Sequence, residues 1–306
     1  MVQAALNQPR PPTWRVWLLT LRPATLPAGA VPVLVGSAVA HAHGALRWPL
    51  ALLALAGALL LQIGCNFVND AADFAKGADT AERLGPARAT QRGWLTQRQV
   101  YAAAAWTFVL ALIAGATLAG AVWREGHGTT ILGIGIASLA CAVGYTAGPK
   151  PLGYLGLGDV LVFVFFGPVA VCGTAWLQIG RVTEQAVCAA IPVGALATAI
   201  LVVNNLRDRD GDARAGKRTL AVRLGAGGAR LEYKLLLILA FLVPLAAWLL
   251  HIAGPGWLAP WLALPLAWQC TRAVGRLDGA ALNPWLGGTA RLELLYGLLL
   301  AAGVAA

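Results

Sequence analysis

Two short stretches of this 306-residue chain carry residues able to hold a metal ion and a phosphate group together. The first reads Asn66-Phe67-Val68-Asn69-Asp70-Ala71-Ala72-Asp73 and runs on through Lys76 to Asp79. On a continuing helix Asn66, Asn69, Asp70 and Asp73 fall at i, i+3, i+4 and i+7, a single face. The second stretch places Asn204, Asp208 and Asp212 at i, i+4 and i+8, again on one face. Carboxylates stacked a turn apart repel one another unless a cation lies between them. A hard divalent ion such as Mg²⁺ accepts such oxygen ligands while keeping positions open for a phosphate partner. Basic residues are interleaved with both stretches: Lys76, Arg83, Arg88 and Arg92 near the first, Arg207, Arg209, Arg214, Lys217 and Arg218 near the second. They can meet phosphate oxygens directly. One stretch alone would read as a solvated, charged connector. Two with the same Asn-then-Asp spacing point to a metal-assisted diphosphate site.

The elements that must position these residues are membrane helices. Hydrophobic residues make up 58% of the chain and charged residues 12%, about half the charged share of a soluble domain, typically about 25%. Apolar runs of helix-spanning length recur near 24–43, 49–69, 100–122, 129–147, 158–178, 186–205, 232–251, 255–271 and 285–304, about nine in all. The fold expected is therefore an all-α integral membrane protein, residues 1–306 forming a single polytopic domain. If the N-terminus is cytoplasmic, 19 of the 23 basic residues fall on the cytoplasmic side, against Arg47, Arg124 and Arg181 on the other. The net charge of +10 thus reads as membrane orientation rather than nucleic-acid binding. The connectors 70–99 and 206–231 are both cytoplasmic on this count and hold seven of the 13 acidic residues. The five cysteines stand singly and read as small core residues. No chemistry is assigned to His41, His43, His127 or His251, which fall towards the outer face.

These residues resemble the two signature motifs of the UbiA superfamily of intramembrane prenyltransferases, and within it the MenA branch. The resemblance extends over most of the chain. It rests on the two acidic motifs, on Arg22-Pro23-Ala24-Thr25-Leu26-Pro27, on the stretch from Arg83 to Gln91, on Tyr145-Thr146-Ala147-Gly148-Pro149, and on the run from Asn204 to Gly225. The chain departs from the branch at Ala24, where Lys is usual, and at Lys150-Pro151-Leu152.

The resemblance implies nine transmembrane helices in a ring around a central cavity, with the 70–99 and 206–231 segments as cytoplasmic polar caps. It implies two Mg²⁺ ions held by Asn69, Asp73, Asn204, Asp208 and Asp212, with Asp70 and Asp79 at further motif positions. Lys76, Arg83, Lys150, Lys217 and Arg218 are the candidates for diphosphate contacts, and Asn66, Tyr145, Arg22 and Thr25 for the acceptor or catalytic pocket. The implied substrates are a polyprenyl diphosphate and 1,4-dihydroxy-2-naphthoate, joined with loss of CO₂ and diphosphate in the plasma or inner membrane. Other aromatic acceptors of the superfamily, 4-hydroxybenzoate or homogentisate, stay open at this point. A transporter is the reading from another class, but transporter acids gather near the bilayer midplane, whereas these lie at one membrane face.

Overall fold

The computed structural model describes residues 10–77, 83–148 and 151–306. Asp79, Glu82 and Lys150 lie outside the described residues. Among those described, nine helical elements follow one another: α1 Thr13–Ala42, α2 Trp48–Ala75, α3 Gln97–Ala121, α4 Gly128–Gly144, α5 Gly158–Ile179, α6 Glu184–Arg214, α7 Leu220–Leu249, α8 Leu264–Val274 and α9 Gly279–Ala305. Seven are long and apolar enough to cross a membrane. The 17-residue α4 is shorter, and α8 is reached through a 3₁₀ stretch, Pro255–Ala263. Large apolar side chains such as Trp106, Leu262 and Leu250 are about 70% exposed on the outer surface (70%, 74% and 69%), an arrangement that suits lipid rather than water. The chain is a multi-pass membrane protein.

The nine runs expected from the sequence all appear, but two helices extend further than their apolar residues. α2 continues to Ala75 and α6 to Arg214, so both acidic motifs ride on helix rather than on the connectors proper. Other helices carry breaks. α1 is interrupted at Arg22, which adopts a left-handed conformation (φ 54°, ψ 69°) before a 3₁₀ turn over Pro23–Thr25. Such a backbone costs a non-glycine residue on the order of 1–3 kcal/mol and persists only when its surroundings fix it. α5 widens into a π-helical segment, Phe165–Cys172, containing Pro168, and α7 is kinked at Gly225 (φ 70°).

The nine helical elements are consistent with the expected ring around a cavity, one side of which is packed more solidly than the other. α6 is the most enclosed, with 78% of its apolar window buried against 28% for α2, α3 and α5. On one side of it α7, α8 and α9 pack into a solid core with α1, around Leu196, Tyr233, Leu292 and Tyr296. Two tyrosines inside this core find partners for their hydroxyls: that of Tyr296 donates to the Ala240 carbonyl (2.5 Å), and those of Tyr233 and Thr289 share a hydrogen bond (3.0 Å). On the other side α1 to α5 stand around a cavity. At the end of the bundle away from the acidic motifs, Arg47 donates to Glu125 (2.6 and 3.2 Å) and to the Leu177 carbonyl (2.8 Å). This clamp ties the starts of α2 and α4 to the end of α5, and its hydrogen bonds hold the Glu125 carboxyl below the usual carboxylate range.

In lipid the hydrophobic effect does not hold helices together, so close packing of small residues does. Gly167 of α5 faces Gly194 of α6 so tightly that a Cβ on Gly194 would lie 2.7 Å from the Phe163 carbonyl oxygen, and one on Gly167 2.7 Å from that of Ala190. Both obstacles are backbone. Gly194→Val should therefore lower the thermal unfolding midpoint in detergent by an amount corresponding to about 1–3 kcal/mol, checked against Gly211→Ala, where a Cβ would meet nothing within 4 Å.

Candidate active site

A cavity of about 1120 Å³ runs through the α1–α6 side of the bundle. Its mouth is polar and its length is apolar. The helical extensions of α2 and α6 bring Asn69 and Asp73 to the mouth from one side, and Asn204, Asp208 and Asp212 from the other. The expected pairing of the two motifs is thus realised in space across one opening.

Each acid is held by neighbours. Asp73 Oδ1 accepts from Lys217 Nζ at 3.0 Å and from the Tyr154 hydroxyl at 3.2 Å, while Oδ2 faces Arg88 at 3.3 Å. Lys217 also lies 3.7 Å from Asp212, so one ammonium links the two motifs. Asp208 is gripped by Arg207, whose Nε and Nη2 donate to its two oxygens (2.8 and 2.5 Å) and whose Nη2 also reaches Asn204 Oδ1 at 2.8 Å. Arg207, expected as a phosphate contact, is instead buried and occupied in fixing Asn204 and Asp208. Asn69 accepts a short hydrogen bond from the Thr146 hydroxyl, which ties α2 to the segment after α4.

Tyr154 is the residue that sequence reasoning passed over. The ammonium groups of Lys76 and Lys217 lie over its ring, 4.9 and 4.8 Å from the centroid, within the range of a cation–π attraction. Lys76 also donates to the carbonyls of Thr146 (2.7 Å) and Gly148 (3.1 Å). Burial pushes its ammonium below the ordinary lysine range, partly offset by Asp73. No spacing signal marks Tyr154, because its role arises from a 3₁₀ turn, Leu152–Leu155, folding back over α2 and the 217 segment.

The four residues proposed for one face of α2 divide. Adjacent residues on a helix point about 100° apart, so Asn69 and Asp70 occupy opposite edges of the stripe. Asp70 does not reach the cavity. It is 1% exposed and accepts from the backbone N–H groups of Ala89 (3.2 Å) and Thr90 (3.1 Å) and from the Thr90 hydroxyl (2.5 Å). Its work is to fold the connector against α2. Asn66 lines the cavity, but its amide donates to the Leu21 carbonyl (2.9 Å) and to Thr25 Oγ1 (3.0 Å), and Thr25 donates to the Arg22 carbonyl (3.0 Å). These bonds hold the left-handed Arg22 turn, and Arg22, Thr25, Asn66 and Tyr145 share the cavity wall. Arg83 and Lys217 also line the cavity. Lys76 and Arg218 do not, the Arg218 side chain being exposed and its backbone N–H bonded to the Tyr154 carbonyl (2.9 Å).

Among the described residues no three acidic, histidine or cysteine side chains converge on one point. The oxygens at the mouth suit Mg²⁺ all the same, since it is commonly bound by one or two carboxylates, with water and substrate phosphates completing the shell. Asn69 with Asp73, and Asn204 with Asp208 and Asp212, supply two such partial sets of hard oxygen donors.

A helical bundle with an acid-lipped, apolar cavity inside the membrane is the architecture of an intramembrane transferase of prenyl chains. The family model described as the UbiA prenyltransferase family matches residues 29–284, and the chain belongs to that family. It is 40% identical over 294 residues to the 1,4-dihydroxy-2-naphthoate octaprenyltransferase of Escherichia coli (strain K12), covering 95% of each chain. It is 41% identical to the enzyme of the same description from Mycobacterium tuberculosis (strain ATCC 25618 / H37Rv), covering 94% of this chain and 96% of the relative. A solved UbiA homolog from Archaeoglobus fulgidus bound to GPP and Mg²⁺ shares the fold, with a TM-score of 0.63 at 16% identity over 93% of this chain and 99% of that one.

The division of labour between adjacent aspartates is testable. Asp70→Ala leaves the Ala89 and Thr90 donors unpaired, which costs about 1–3 kcal/mol, so the 83–96 segment should exchange amide hydrogens faster. Asp73→Asn weakens the Arg88 side-chain contact but keeps the Asp70 acceptors of the Ala89 and Thr90 N–H groups, so it should speed exchange at Ala89 and Thr90 less than Asp70→Ala does.

Proposed function

We propose that this protein transfers a polyprenyl group from polyprenyl diphosphate to 1,4-dihydroxy-2-naphthoate, releasing diphosphate and CO₂ and giving demethylmenaquinol in menaquinone biosynthesis. The observation that carries the reading is the cavity itself: two oxygen-rich motifs face each other at its mouth, and the remainder is an apolar channel within a membrane bundle. Relatives 40% and 41% identical over nearly the whole chain, named for that reaction, support the choice of acceptor.

Asn69, Asp73, Asn204, Asp208 and Asp212 would hold Mg²⁺, two ions in this reading, together with the donor's diphosphate. Bound there, the metal supplies positive charge to the diphosphate as the allylic C–O bond breaks. Lys217 and Arg83 complete the polar lip in this proposal, and Lys150 and Asp79, outside the described residues, stay diphosphate and metal candidates on the sequence motifs alone. Arg88 and Arg207 orient the Asp73 and Asp208 carboxylates at the mouth. The apolar wall below the mouth keeps water from the electron-poor prenyl carbon, which is left for the electron-rich naphthoate ring to attack. Arg22, Thr25, Asn66 and Tyr145 form the acceptor side of the cavity, where the fixed Arg22 turn presents a cation suited to a carboxylate. In this reading the acidic ends lie at the cytoplasmic face of the cell membrane, with the 70–99 and 206–231 segments as polar caps, a reading supported by the excess of basic residues beside the acidic motifs.

The direct test is turnover of purified protein in detergent with Mg²⁺, a polyprenyl diphosphate and a panel of aromatic acids, scored for diphosphate and CO₂. Prenylation of the naphthoate is expected; prenylation of 4-hydroxybenzoate or homogentisate with none of the naphthoate would overturn the acceptor. Asp73→Ala and Asp208→Ala should each lower turnover by at least about a hundredfold, the scale of losing a charge-stabilising group, with insertion intact. Chelation of Mg²⁺ should do the same and be reversed by adding the ion. For orientation, single cysteines introduced at positions 83–96 should resist membrane-impermeant thiol reagents in intact cells and react in inverted vesicles.

A further inference from the structure

A carboxylate inside a membrane bundle is costly unless it is paired or put to use. Asp159, the second residue of α5, is 5% exposed, and neither of its oxygens accepts a hydrogen bond from another described residue. Its place in the first turn suits the helix dipole, but that interaction is available at a water-facing edge and gives no reason for burial. Asp73 and Asp208, by contrast, are each gripped by lysine or arginine. The site described above makes no use of Asp159.

The residue before it touches Tyr145. A Cβ on Gly158 would lie 2.7 Å from the Tyr145 hydroxyl oxygen and 3.4 Å from the Leu201 side chain of α6, and one on Gly153 would lie 3.0 Å from the Tyr145 ring. Glycine at both positions lets the ring lie against the start of α5, with its hydroxyl in the crevice between α5 and α6. Asp159 stands three residues before Val162 and seven before Phe166, both of which line the cavity, so its side chain leaves α5 towards that crevice. Its charge acts on Tyr145 and on Glu232 of α7. The other titratable groups acting on Tyr145 are Cys65 and Asp73 of α2 and Asp212 of α6. Tyr145 lines the cavity and Asp159 does not, so the phenol stands between the carboxylate and whatever the cavity holds.

We propose that Asp159 is a positioning residue that acts through Tyr145: its carboxylate draws the Tyr145 hydroxyl hydrogen towards itself and so presents the oxygen lone pair to the ring hydroxyl of the aromatic acceptor. When the ring carbon carrying the acceptor's carboxylate attacks, its bond to the prenyl carbon forms and the C–O bond to diphosphate breaks. The neighbouring ring hydroxyl gives its proton to Tyr145 Oη while the Tyr145 proton passes to Asp159, leaving a keto carboxylate. Loss of CO₂ converts this to an enolate. The same two residues then return the proton to its oxygen, and the quinol forms with no net proton change. The inference rests on the transferase reading above and adds to it the route of the proton.

The test measures single turnover in lipid nanodiscs with Mg²⁺, saturating polyprenyl diphosphate and the aromatic acid that the panel above shows to be prenylated. Wild type, Tyr145→Phe, Asp159→Asn and the double variant are compared. Each single variant should slow the step by about a hundredfold, the scale of general acid–base catalysis, and keep donor affinity within about twofold. The double variant should be no slower than the slower single, because the two residues act as one unit. Losses that multiply, a loss confined to affinity, or an Asp159→Asn rate near wild type overturn the proposal. Glu232→Gln, which removes the other nearby carboxylate, should leave the rate unchanged, and an equal loss there overturns it too. A second measurement needs no turnover: with 3-fluorotyrosine at position 145, the ¹⁹F resonance should move in Asp159→Asn and hold in Glu232→Gln. A resonance indifferent to Asp159 overturns the pairing. If the resonance responds while no aromatic acid is prenylated, the acceptor reading falls and the pairing of hydroxyl with carboxylate stands.

Discussion

Carboxylates at the lip of an apolar cavity must be compensated, and the arrangement around the mouth follows from that requirement. Asp73 is the point at which it is most visible. Lys217, Arg88 and Tyr154 all converge on its two oxygens, and they come from three separate parts of the chain. The ion pairs are largely shielded from water, the Asp73 side chain being 8% exposed and that of Lys217 16%. Removing one partner from such a pair is far more costly than removing a surface charge, because the other is left uncompensated. The polar lip is thus a mutually dependent unit, and the segments supplying its cations are held to α2 by the same contacts that prepare the site.

The asymmetry of the bundle gives that lip something to stand on. α6 carries small residues along most of its length, so α5 and α7 approach closely and the α7–α9 side becomes solid. The opposite side keeps the cavity. The second acidic motif therefore sits at the end of the most buried helix, while the first sits on α2, a far more lipid-exposed one. One wall of the mouth is rigidly founded. The other is held by hydrogen bonds such as those from Thr146 to Asn69 and from Asn66 to the Arg22 turn.

Much of the fold was legible because membrane helices announce themselves: apolar runs of the right length need no long-range information to be recognised. The helix-length stripes of Asn and Asp were legible for a similar reason, since spacing along a helix decides which residues share a face. The stripe was too coarse at its edges. Asp70 satisfied the periodicity as well as Asp73, and its neighbour across space, the Ala89–Thr90 backbone, turned it to a structural task. Arg207 likewise looked like a phosphate contact in sequence and proved to be a brace, holding Asn204 and Asp208 of its own helix and reaching Asn283 of α9.

The sequence by itself determined the membrane class, the number of spans, the two oxygen-rich motifs and the crowding of charge around them, all of which depend on composition and on contacts within one or two helical turns. Tertiary structure decided what required distant segments to meet: that the motifs face one another, that Tyr154 joins them beneath two lysines, and that the cavity lies to one side of α6. Those features arise from which side chains fill the space between helices, and no local spacing rule records that.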